Sequence, residues 1–101
     1  MKKIIDGKLF STETASCVGS DQFFYPGDVE YWREELYRKK NGEYFLHGEG
    51  GANTIYANWV GPDERSGGEN IVQMDVDEAK EWAEKHIDAD AYIAEFGEPE
   101  E

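Results

Sequence analysis

Glu35-Leu36-Tyr37-Arg38-Lys39-Lys40-Asn41-Gly42-Glu43-Tyr44-Phe45-Leu46-His47-Gly48 sets two aromatic-bearing runs on either side of Asn-Gly, the strongest short-range cue for a β-hairpin. A type I′ turn needs positive φ at both central residues, which Asn and Gly tolerate best. A two-residue loop would make Lys40 face Glu43, Lys39 face Tyr44, Arg38 face Phe45, Tyr37 face Leu46 and Leu36 face His47. The Lys–Glu and Arg–Phe neighbours would each contribute up to about 1 kcal/mol.

Working outward, Lys2 to Phe10 reads as two short extended pieces around Asp6-Gly7, a first hairpin. Residues 16–29, with Gly19, Asp21, Pro26 and Gly27, read as loop. Downstream, Asn53 to Val60 should add a strand to the sheet, 61–68 should be an exposed loop, and Asn70 to Met74 a last short strand. Asp75-Val76-Asp77-Glu78 has the form of a capping box. Val76, Ala79, Trp82, Ala83, His86 and Ile87 then share one side of a 3.6-residue wheel, which predicts an amphipathic helix over 76–87. Asp88 and Asp90 restart the chain into a short helix that buries Tyr92, Ile93 and Phe96 and stops at Gly97. The expected fold class is α+β: an antiparallel sheet of four to five strands with one or two C-terminal helices packed on one face. Residues 1–97 should form a single domain, with 98–101 a frayed acidic tail.

Charge says more about partners than about fold. The 101 residues carry 23 Asp+Glu against 10 Lys+Arg, a net charge of -13. Residues 1–40 are balanced, seven acids against seven bases, so the whole excess falls in 41–101, where sixteen acids face only Arg65, Lys80 and Lys85. Such a chain is not built to neutralise phosphates, so direct nucleic-acid and anionic-membrane binding are not expected. Fourteen aromatics set it apart from a disordered acidic tail. No apolar run has spanning length, Met1 to Asp6 lacks the pattern of a signal peptide, and a single Cys17 suits a reducing compartment. The expected localisation is therefore the cytoplasm.

Asp77, Glu81, Glu84 and Asp88 are spaced 4, 3 and 4 apart, within roughly 60° of one another on the helix and opposite its apolar face. Like charges at this spacing repel by a few tenths of a kcal/mol per pair. The row is either a solvated face that aids solubility or a line of negative charge offered to a basic groove. In the second reading Asp75, Glu78 and Asp90 form its rim, and the Lys/Arg groups that hold phosphate would accept it. His47 to Ala52 is glycine-rich, yet no Gly-x-Ser-x-Gly occurs, no Lys-Ser/Thr follows, and Glu49 has the wrong sign for phosphate. A bulged strand end fits it better. His86 reads as a hydrogen-bonded core residue. Cys17 has no partner at metal-ligand spacing, and no calcium-loop pattern is present. No catalytic residue, metal or cofactor is expected. Phe23, Phe24, Tyr25, Tyr31 and Trp32 supply core, with one or two left as interface anchors.

Ile5 to Ala15, Glu35 to Ala52, Glu78 to Glu84 and the closing Phe96-Gly97 together resemble a group of small acidic proteins carried by phages and conjugative elements of Firmicutes. Residues 16–31 fit that pattern poorly. The resemblance implies a mobile-element inhibitor of host nucleic-acid defence, anti-CRISPR-like. It would act without catalysis in the bacterial cytoplasm, on a basic nucleic-acid-binding protein such as a Cas9-type nuclease. The alternative is an antitoxin or immunity-type protein that neutralises a basic partner through the aromatic segment 23–32.

Overall fold

The computed structural model describes residues 1–101. In chain order it contains β1 (Lys2–Ile5), β2 (Lys8–Ser11), β3 (Ser16–Phe23), β4 (Trp32–Arg38), β5 (Tyr44–Gly50), β6 (Asn58–Trp59), β7 (Arg65–Ser66), β8 (Gly68–Met74), α1 (Val76–His86) and α2 (Ala89–Phe96). An antiparallel sheet ordered β3-β4-β5-β8 carries both helices on one face, an α+β fold. Two further ribbons, β1-β2 and β6-β7, form small sheets of their own.

The central hairpin forms, with a register one residue away from the expected one. Arg38 faces Tyr44, Tyr37 faces Phe45, Leu36 faces Leu46 and Glu35 faces His47. Lys39 N–H donates to the Glu43 carbonyl at 2.8 Å and Gly42 N–H to the Lys39 carbonyl at 2.9 Å. Only Gly42 is left-handed, at φ +91°, so the loop has three residues rather than the two of a type I′ turn. The reason lies in the packing of both faces, because a one-residue slip would exchange every side chain between them. This register puts Leu36, Leu46 and Tyr44 together beneath Ala79, Trp82 and Ala83. It puts Tyr37 and Phe45 on the other face, with Phe10 and Ile71.

The sheet is thus buried on both sides. Phe10, Phe45, Leu36 and Ile71 are fully enclosed, each contributing about 1.5–3 kcal/mol of burial free energy. The Asp6-Gly7 hairpin forms as expected, with both turn residues at positive φ (51° and 78°). It lies over the second core, where Phe10 meets the Phe45 ring edge-on at 5.6 Å.

Residues 16–23 are the edge strand β3, not loop. Gly19 and Asp21 suggested a turn, but here the glycine serves close packing: a Cβ on it would stand 2.6 Å from Ile87 Cγ2. A bulge between Cys17 and Gly19 adjusts the pairing. Residues 53–60 do not extend the main sheet; only Asn58–Trp59 is a strand, paired with β7. The chain after β5 instead folds back in turns, Thr54 Oγ1 donating to the Gly51 carbonyl at 2.8 Å. This turn lays the Tyr56 ring over Gly48, where any Cβ would collide with it. Glycines 48, 50 and 51 therefore serve close approach, not positive φ, and β5 runs unbulged through Gly48 to its end at Gly50.

The capping box is present, Glu78 N–H donating to Asp75 Oδ1 at 2.8 Å and Asp75 N–H to Glu78 Oε1 at 3.1 Å. Asp88 caps α2 through Ala91 N–H at 2.8 Å, and Gly97 ends it at φ +85°. Tyr92 and Phe96 pack against the helix-side core, whereas Ile93, expected buried, remains 36% exposed. No residue of α2 is fully buried, and Ile93 lines an open cleft beside Ile87, Tyr92 and Pro99. Residues 98–101 are exposed and lie beyond α2.

Candidate functional site

All seven acidic residues expected to meet a partner are exposed: Asp75, Asp77, Glu78, Glu81, Glu84, Asp88 and Asp90. They follow from α1 and its junction with α2, because an apolar face docked through Ala79, Trp82 and Ala83 leaves the opposite face in solvent. From Asp77 to Glu84 the helical rise gives a row about 10 Å long. Asp88, expected on the same helical face, lies past the end of α1, because Ile87 is extended and Asp88 turns the chain into α2. Asp75, Glu78 and Asp88 also cap helices. Glu81 reaches Lys85 at 3.4 Å, a pair about two-thirds exposed on both sides, which contributes at most about 0.5 kcal/mol. Beside the row, Glu84 and Asp88 border a cleft of about 280 Å³ whose apolar wall includes Ile87, Tyr92 and Ile93.

Three of the basic residues lie across the sheet from the acidic row. Lys2, Lys3 and Lys8 belong to the β1-β2 layer, on the face opposite the helices. Lys39 stands over the Phe10 ring at 4.2 Å, and Lys8 pairs with Glu43 at 3.5 Å. Carboxylates occur on both sides: Glu13, Glu35 and Glu43 pair with Lys2, Arg33 and Lys8 on the β1-β2 side, while α1 carries Lys80 and Lys85 among its acids.

Three internal acid sites escape sequence reasoning, because strand pairing and helix docking bring their members together. Glu95, only 11% exposed, accepts from Arg38 and from the Tyr44 hydroxyl (2.6 Å), fastening α2 to β4 and β5. Burial, followed by the hydrogen bond to Glu95, pushes the Tyr44 hydroxyl up to about 12. His47 lies between Glu35 (3.3 Å from Nδ1) and Glu69 (2.8 Å from Nε2), so both contacts are hydrogen bonds only when the ring is protonated. Glu34 accepts from Tyr56 Oη and from Trp82 Nε1 at 3.0 Å, joining β4, the turn after β5 and α1. Burial and the Glu34 carboxylate together raise the Tyr56 hydroxyl well above its ordinary value. An acid two residues from a core strand residue, as Glu34 is from Leu36, was the available signal.

His86 is the half-buried, hydrogen-bonded histidine expected: its Nδ1 lies 2.9 Å from Asp21 Oδ2, and its ring stacks on Trp82 at 4.7 Å. Cys17 is exposed at the sheet edge; desolvation of its thiol by the surrounding atoms, followed by the Glu35 charge, raises it above its ordinary value, the direction that opposes thiolate formation. No group of three or more His, Cys, Asp or Glu side chains is placed to hold a metal ion, and no helix is long and apolar enough to cross a membrane.

Of the aromatic segment, Trp32 is half-buried, stacked on Phe23 and edge-on to His86. Phe23, Phe24 and Tyr25 are 47%, 44% and 79% exposed, and none of the five rings belongs to either buried cluster, so the segment does not supply core as expected. Comparison with protein-family models, with curated proteins and with solved structures finds no match for this chain.

Proposed function

We propose that this protein is a non-enzymatic inhibitor of a nucleic-acid-handling defence effector, a Cas9-type nuclease, acting as an acidic mimic of DNA in a basic channel. The observation that carries the reading is the exposed row Asp77, Glu81, Glu84 and Asp88, rimmed by Asp75, Glu78 and Asp90 and separated by the sheet from the β1-β2 lysines. A lysine- and arginine-lined channel that grips phosphates offers the same charge-assisted bonds to carboxylates, bidentate where arginine is the donor. A charge of -13 also steers the encounter. The test is the variant Asp77→Lys/Glu81→Lys/Glu84→Lys, whose changes all fall on exposed positions. It should melt as the parent does and lose inhibition of target-DNA binding by the nuclease. A folded variant that still inhibits removes the mechanism.

A second reading, neutralisation of a basic toxin-like partner through 23–32, is favoured by the exposed rings of Phe23, Phe24 and Tyr25. There, Phe24→Asp/Tyr25→Asp should abolish binding while the lysine variant binds normally, and added salt should matter little.

A further inference from the structure

On the helix-bearing face, just past the end of α1, lies a groove of about 460 Å³ lined by Phe23, Trp32, Tyr56, Ile55, Glu30 and Glu34, with Asn53 and Thr54. Its composition is unusual for a soluble surface: three aromatic rings, an isoleucine left 88% exposed, and two carboxylates. Glu34 sits within the fold and lacks a counter-ion. Glu35, Glu43 and Glu95 each have an arginine or lysine within ion-pair distance, whereas both Glu34 oxygens are taken by neutral donors, Tyr56 and Trp82. Those two bonds hold the carboxylate in place without cancelling its charge. Glu30 stands exposed at the rim.

We infer that this groove is a receptor for an arginine side chain of a partner protein. Aromatic walls with a fixed carboxylate match a guanidinium on two counts. Its plane stacks on aromatic faces, and its five donors reach carboxylate lone pairs left unused by Tyr56 and Trp82. Lysine, a compact and strongly hydrated charge, gains less from the rings. An apolar side chain would bury Glu34 without compensation. A neutral polar side chain would leave its charge unanswered. The groove lies apart from the acidic row of α1, so the inference stands whether or not that row meets a nucleic-acid-binding channel.

The probe is N-acetyl-arginine methylamide, with the citrulline analogue as its uncharged near-isostere and the lysine analogue as the alternative cation. Each is titrated into the isotopically labelled full chain and followed by amide and indole N–H resonances. Arginine should give saturable shifts centred on Trp32, Tyr56 and the Trp82 indole, with Kd on the order of 1 mM. Citrulline should bind at least about tenfold more weakly, and lysine severalfold more weakly. Glu30→Gln and Phe23→Leu, both at exposed positions, should each weaken arginine binding severalfold while leaving the melting temperature unchanged. Shifts confined to 75–90, equal binding of arginine and citrulline, equal binding of arginine and lysine, or no saturable shift would each overturn the assignment.

Discussion

Replacing Glu34 by leucine removes a side chain that joins three parts of the fold, so its effect on stability can be worked from geometry. Two donors lose their acceptor: the Tyr56 hydroxyl, on a residue only 7% exposed, and the Trp82 indole N–H, on a residue only 6% exposed. A hydrogen bond to a charged acceptor contributes about 1.5–3 kcal/mol, and a buried donor left unpaired loses its hydration as well. Glu34 itself is half-buried, so water can reach part of the gap, and its own desolvation is relieved by the substitution. The net loss should be about 2–4 kcal/mol, a large share of the roughly 5–15 kcal/mol that holds such a domain together. Urea unfolding followed by tryptophan fluorescence measures it. Tyr56→Phe should lose about half as much, and the double variant less than the sum, with a coupling of about 1 kcal/mol or more. A Glu34→Leu loss below about 0.5 kcal/mol, or strict additivity with Tyr56→Phe, would refute the idea that this carboxylate ties the helix and the turn to the sheet.

Phe45→Ala empties a fully enclosed site between Phe10 and Tyr37 and should lower unfolding free energy by about 3–5 kcal/mol in the same assay. Alkaline stability should fall in a defined window. Burial lifts the Tyr37 and Tyr44 hydroxyls from 10 to about 12 in the folded chain. The stability linked to keeping those protons is fully present below pH 10 and is lost as pH rises through about 12. Ultraviolet titration of tyrosine, run beside far-ultraviolet circular dichroism, should show these phenols ionising late and together with unfolding. Ionisation near 10 in a still-folded chain would contradict their burial.

How far the sequence could be read follows from the range of the interactions involved. The Asp6-Gly7 turn, the Asp75–Glu78 capping box and the apolar stripe of α1 are decided within a few residues, and they form as expected. The Asn41-Gly42 hairpin exists, but its register answers to two cores formed by distant residues, Trp82 on one side and Phe10 on the other. Strand β3 has weak local preference and is set by pairing with β4 and by the fit of Ile87 against Gly19. At the functional surface the exposed acids of α1 were readable from helical spacing alone. The groove around Glu34 was not, because Phe23, Trp32 and Tyr56 come from three segments that only the fold unites.

The most direct measurement is amide hydrogen exchange of the full chain, free and bound to a Cas9-type nuclease, at low and at high salt. Slowed exchange over 75–90, weakening as ionic strength rises, is the expected result. Slowed exchange confined to β1-β2 or to 23–32, with 75–90 exchanging as in the free chain, would contradict an interface built on the acidic helices.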